Sequence, residues 1–158
     1  MSFIKAAYQD MAHCCDEFKR GLVFLEQGRF GESIKCFSRA CGSVLPSDQF
    51  YQKYKSYYGF SLLLNGDVAA LQVCRDAMKS SPGDGDICMN LARAEVVLGN
   101  RLAAINAIEA GMALSEGHEG LLALQQKIGV REKKPLPILA RDNPLNVALG
   151  KRMRREYR

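Results

Sequence analysis

One arrangement of small and apolar residues occurs three times along this chain of 158 residues, and it limits the possible folds more than any single residue does. The first copy is Gly21, Phe24, Gly28, Phe30, Ser33, Ile34, Phe37 and Ala40. The second is Gly59, Leu62, Gly66, Val68, Ala70, Leu71, Cys74, Ala77, Met78 and Pro82, and the third is Leu91, Ala92, Glu95, Gly99, Ala104, Ile105, Ile108, Gly111 and Met112. Ser33, Ala70 and Ala104 each precede an aliphatic residue, with Phe37, Cys74 or Ile108 four positions on and a small residue seven on. Ala70 and Ala104 lie 34 residues apart; Ser33 and Ala70 lie 37 apart, because the loop from Gly42 to Phe50 is longer and the turn at Gly66 is shorter by one. Gly66-Asp67 and Gly99-Asn100 separate segments of helical period, where glycine ends one helix and permits a tight reversal. Each copy therefore predicts a helix-turn-helix hairpin.

At these residues the chain resembles the tetratricopeptide repeat family, whose 34-residue unit is a helix with a small residue at its middle, a turn, and a second helix with alanine at its contact points. The resemblance covers roughly residues 14 to 118, with Glu17, Arg20 and Glu95 standing where the family prefers bulky apolar or aromatic residues. It implies an all-α, right-handed α-solenoid of about three hairpins, at 14–47, 51–84 and 85–118. The size and three-repeat layout also resemble the bacterial type III secretion chaperones of this repeat class, which tend to be acidic.

A two-helix hairpin cannot bury its apolar stripe alone, so successive hairpins share one continuous core and the last needs a cap. Leu121, Leu122, Leu124, Gln125 and Ile128 predict a capping helix over 119–128, completing a repeat domain of residues 1–128. At the other end, Ile4, Tyr8, Met11, Cys15, Phe18, Leu22 and Leu25 recur in alternating steps of four and three, which predicts one long helix from an N-cap at Ser2 to Gln27. This stripe packs on its own and the second repeat, or part of it mates with another chain, as in a homodimer, or with the tail.

The chain holds 47% hydrophobic residues, ordinary for a packed domain. No apolar run reaches the ~18 residues that suggest a membrane span, and the start lacks a secretory-type apolar stretch, so the expectation is a cytoplasmic location without a membrane span. Cys14, Cys15, Cys36, Cys41, Cys74 and Cys88 form no Cys-x-x-Cys pairs, and only His13 and His118 could join them, so reduced structural thiols are expected and neither metal nor cofactor. Charge is uneven: residues 129–158 hold 9 Lys or Arg against 3 Asp or Glu, within a whole-chain net charge of +5. In this basic tail the alternate prolines of Pro135-Leu136-Pro137-Ile138-Leu139 fix extended backbone, and Leu136, Ile138 and Leu139 are apolar enough to dock on a groove or exchange between subunits. Asp142 or Asn143, followed by Pro144, then caps a short helix whose apolar face is flanked by Lys151, Arg152, Arg154 and Arg155.

No phosphate-cradling glycine loop, activated nucleophile or paired-carboxylate motif is present, so no catalytic residue is assigned and the chain reads as a non-enzyme. Gly83-Asp84-Gly85-Asp86 lacks the alternating ligands and closing Glu of a calcium loop, and predicts a helix cap by Asp84 or Asp86. What the family resemblance implies is a peptide-binding groove lined by the first helix of each hairpin. By repeat position it comprises Cys15, Phe18, Leu22 and Leu25; Lys53, Ser56, Phe60 and Leu63; and Asp86, Met89, Arg93 and Val96. Lys53 and Arg93 would receive a peptide's carboxylates. An adaptor or chaperone-like module for a protein or peptide partner is the leading expectation. The alternative is binding of nucleic acid or an anionic surface through the basic tail, with Phe50, Tyr51, Tyr54, Tyr57, Tyr58 and Phe60 as a further candidate for base stacking.

Overall fold

Helical period interrupted by glycine yields helices and turns throughout. In a computed structural model, residues 13–115 and 117–128 are described, and every regular element among them is helical. The order is α1 (Asp16–Glu26), α2 (Phe30–Gly42), α3 (Tyr51–Leu64), a 3-10 turn (Val68–Ala70), α4 (Leu71–Ser80), α5 (Gly85–Val97), α6 (Arg101–Leu114) and α7 (Glu119–Lys127).

Three reversals share one hydrogen-bond pattern. Arg29 N–H donates to Phe24 O at 2.9 Å, Asp67 N–H to Leu62 O at 3.0 Å and Asn100 N–H to Glu95 O at 2.8 Å. In each case the intervening glycine is left-handed, with φ of 102° at Gly66 and 76° at Gly99. This is the six-to-one closure that satisfies orphan carbonyls at a helix end, and it needs a residue without a Cβ penalty at the left-handed position. The chain thus folds into the hairpins α1–α2, α3–α4 and α5–α6. Between the second and third, Pro82 follows the end of α4, and Asp84 caps α5 by accepting from Asp86 N–H at 2.9 Å and Ile87 N–H at 3.2 Å.

Consecutive helices pack on each other from α1 to α6, and α3 also packs on α5. Small residues permit the close approach. A Cβ on Gly21 would stand 2.6 Å from the Phe37 ring, and one on Gly59 would stand 2.9 Å from Val73 Cβ. Gly111 likewise faces Cys88 and Leu121, which seats α7 on the third hairpin. The core is centred on four rings: Phe18 packs on Phe37, Tyr54 and Tyr57 with centroids 5.5, 4.6 and 5.2 Å away, and Phe37 meets Tyr57 at 5.6 Å. Each such pair contributes about 0.5–1.5 kcal/mol beyond its buried area.

The expected long N-terminal helix is broken. Cys15 is extended, with ψ of 155°, and α1 begins only at Asp16. The Cys15 N–H, which a continuous helix would give to the carbonyl four residues earlier, instead donates to Tyr54 Oη on α3 at 3.0 Å. A tertiary bond has replaced a helical one. Ser2, Ile4, Tyr8 and Met11 lie outside the described residues, as do the tail positions Leu136, Ile138, Leu139, Lys151, Arg152, Arg154 and Arg155 and the helix start at Asp142 or Asn143. The chain divides into two compact units, Met1–Leu124 and Gln125–Arg158, the second of which is described only at 125–128. Among the described residues no helix is long and apolar enough to cross a membrane.

Candidate binding face

The positions carried over as groove walls sit on α1, α3 and α5, and the structure places most of them inside. Phe18, Leu22, Leu25, Lys53, Ser56, Phe60, Leu63, Asp86 and Met89 are buried; Cys15 and Arg93 are half-buried, and Val96 alone is exposed, at 38%. The reason is visible in their contacts. Phe18 lies against α2 and α3, and Ser56 Oγ accepts from Asn90 Nδ2 on α5 at 3.0 Å. Repeat positions expected to line an open wall form the seam between one first helix and the next. The face reaches solvent at the C-terminal end of α5, where Val96 lies one turn beyond Arg93.

Lys53 is engaged instead of waiting for a peptide carboxylate. Its ammonium lies 3.4 Å from Asp84 and 3.2 Å from Asp86, all at the first turn of α5. A cation beside a helix N-terminus is disfavoured by the helix dipole, and two carboxylates there reverse the local sign. Asp86 is shared further. His118 Nδ1 accepts from Leu121 N–H at 3.2 Å, which leaves the proton on Nε2, 3.3 Å from the other Asp86 oxygen. The imidazole thus fixes the start of α7 to the start of α5, assisted by Ser115 Oγ donating to Gly83 O at 2.6 Å. Its ring also occupies the space a side chain at Gly85 would need. Asp84, committed to the cap and to Lys53, leaves the Gly83–Asp86 stretch structural, and no group of three or more His, Cys, Asp or Glu among the described residues is placed to hold a metal.

A line of small polar groups crosses the same interior. Ser33 Oγ donates to Gly21 O and lies 3.1 Å from Ser61 Oγ, while Cys74 Sγ donates to Ser56 O. Tyr57 is fully buried, and burial pushes its hydroxyl well above the ordinary phenol range, with Asp86 adding to the effect and Arg93 opposing it. Burial likewise lowers the Arg93 pKa, against the pull of Tyr57 and Asp86. Of the aromatic run weighed for base stacking, Tyr54, Tyr57 and Phe60 are buried in the core, whereas Phe50, Tyr51 and Tyr58 are half-buried.

The sequence did not flag the pairing of Glu95, which stands where the resembled family prefers an aromatic. Arg75 on α4 reaches it with Nε and Nη2 at 3.0 and 2.8 Å, and Asn100 Nδ2 donates to its second oxygen at 2.8 Å. An ion pair with an amide on its second oxygen links the second and third hairpins. Its only sequence signal was an acidic residue inside an apolar repeat position.

None of the six cysteines is in a disulfide, and four of them are buried. Burial raises Cys74 to about 12, with Glu95 contributing, and Cys88 to about 11, with Asp84 contributing. No protein-family model matches the chain, and no curated protein matches it.

Proposed function

We propose that this chain is a non-catalytic protein-interaction module of the tetratricopeptide type: a right-handed solenoid of three hairpins capped by α7, acting as an adaptor or chaperone-like binder. The observation that supports it most is the threefold recurrence of one turn closure, together with glycine-mediated helix contacts at Gly21 and Gly59. Repetition of a single supersecondary unit is the construction from which extended binding surfaces are built. The partner is an extended peptide or amphipathic helix, engaged first where the face reaches solvent at Arg93 and Val96. Engagement of Phe60, Leu63 or Met89 requires that face to open.

Affinity capture with Val96→Asp and Val68→Asp variants tests this, Val68 being exposed on the turn before α4. A protein retained by the wild type and by Val68→Asp, but released by Val96→Asp, supports the reading; equal retention by all three refutes it. A second reading draws on the nine cations of residues 129–158: attachment to nucleic acid or another polyanion. Salt separates the two, since six to ten phosphate contacts lose about a thousandfold or more in affinity between 50 and 200 mM salt. Contact through apolar side chains weakens little over that range.

A further inference from the structure

Exposure divides the thiols: Cys14, Cys36, Cys74 and Cys88 are buried, whereas Cys15 and Cys41 are half-buried. These two lie at the same end of the first hairpin. Cys15 immediately precedes α1, Cys41 is the penultimate residue of α2, and the pairing of α1 with α2 about the Gly28 turn brings that start and that finish together. Cys15 Sγ lies 3.9 Å from the hydroxyl of Ser43, the residue that caps α2. Among the groups that act on Cys41, Lys55 of α3 lowers its pKa and Cys15 raises it, both less than burial does. The backbone of Cys15 is held on α3 by its bond to Tyr54.

We propose that Cys15 and Cys41 are a thiol–disulfide pair, closed by a low-molecular-weight disulfide of the glutathione class and fastening the first hairpin at the end opposite its turn. The proposal does not depend on the protein-binding reading. In the first step Cys15 loses its proton to solvent and its thiolate attacks one sulfur of the small disulfide. That S–S bond breaks, one small thiolate leaves, and Cys15 carries a mixed disulfide. Cys41 then loses its proton and attacks Cys15 Sγ, expelling the second small thiolate. Two protein thiols are oxidised and one small disulfide is reduced to two thiols. Burial holds Cys41 up at about 11, so the second step is the slow one. Its rate follows the Cys41 thiolate fraction, rising about tenfold per pH unit between 7 and 9.

Intact mass and peptide mapping of the full chain, exposed to oxidised glutathione under native conditions, read this directly. The expected course is a mixed disulfide on Cys15, converted to a Cys15–Cys41 cross-link that is lighter than the reduced chain by two hydrogens and reversed by a reductant. Cys41→Ser should stop at the mixed disulfide, and Cys15→Ser should leave Cys41 unmodified over the same time. A cross-link to Cys14 instead, a mixed disulfide that persists at pH 9 in the wild-type chain, or no reaction at either thiol would each overturn the proposal.

Discussion

At the scale of single residues, glycine marks both kinds of joint in this fold, and the two kinds respond differently to substitution. Gly21 lies in α1 against Phe37, whose ring is fully buried among Phe18 and Tyr57 and has nowhere to swing. Gly21→Ala should therefore destabilise the protein by about 1–3 kcal/mol through overpacking, even though alanine gains up to about 1 kcal/mol in helix propensity. Gly31, in α2, has open space where a Cβ would stand and no left-handed backbone, so Gly31→Ala should be neutral or stabilising by up to about 1 kcal/mol. Chemical denaturation of the two variants against wild type measures both. The turn role of Gly66 and Gly99 was legible in the sequence, because a glycine recurring between segments of helical period has few other physical uses. The cap at Asp84 was legible too, as one of two candidates. His118 was not: nothing local shows that a ring 33 residues away will rest on Gly85.

At the scale of elements, helix identity was written in the apolar period, while helix ends and helix partners depended on contacts across the chain. The heptad stripe predicts a helix straight through Cys15, yet the hydroxyl of Tyr54 takes the Cys15 N–H and α1 starts one residue later. Periodicity records which residues face inward and says nothing of a donor captured from another helix. The joint between α4 and α5 is similar, since Arg75, Glu95 and Asn100 meet only once both hairpins have formed. Removing the cation leaves a carboxylate with 3% side-chain exposure facing one amide. Arg75 is itself 43% exposed, so solvent screening reduces the loss below that of a fully enclosed pair. Arg75→Ala should cost about 1–3 kcal/mol, and a double-mutant cycle with Glu95→Gln should give a coupling of the same sign. Additivity of the two changes would show that the trio does not hold the joint.

At the scale of the whole molecule, the all-helical class was legible because three copies of one pattern agree, but the accessibility of the carried-over face was not. Lys53 and Ser56 lie on α3 and Asp86 on α5, and they meet one another or Asn90 where α3 lies against α5. Spacing fixes which side of a helix a residue occupies; the distance to the neighbouring hairpin decides whether that side is open. The thiols that burial shifts, fully enclosed or half-buried, also set a global pH response. Cys41 and Cys88 are raised to about 11 and Cys74 to about 12 from an ordinary 9.0. For these groups the unfolded chain binds fewer protons above pH 9, so the stability they contribute is present below that value and is lost as pH climbs through 11 to 12. Urea midpoints should hold level from pH 7 to about 8.5 and then fall, less steeply in Cys74→Ala. The central claim, that this array binds a protein partner along its first-helix face, is tested most directly by a photoreactive residue placed at Val96 and, separately, at Val68. The account predicts a cross-linked protein from position 96 and none from position 68; capture at 68 alone, or at neither position while nucleic acid is retained by the chain, would contradict it.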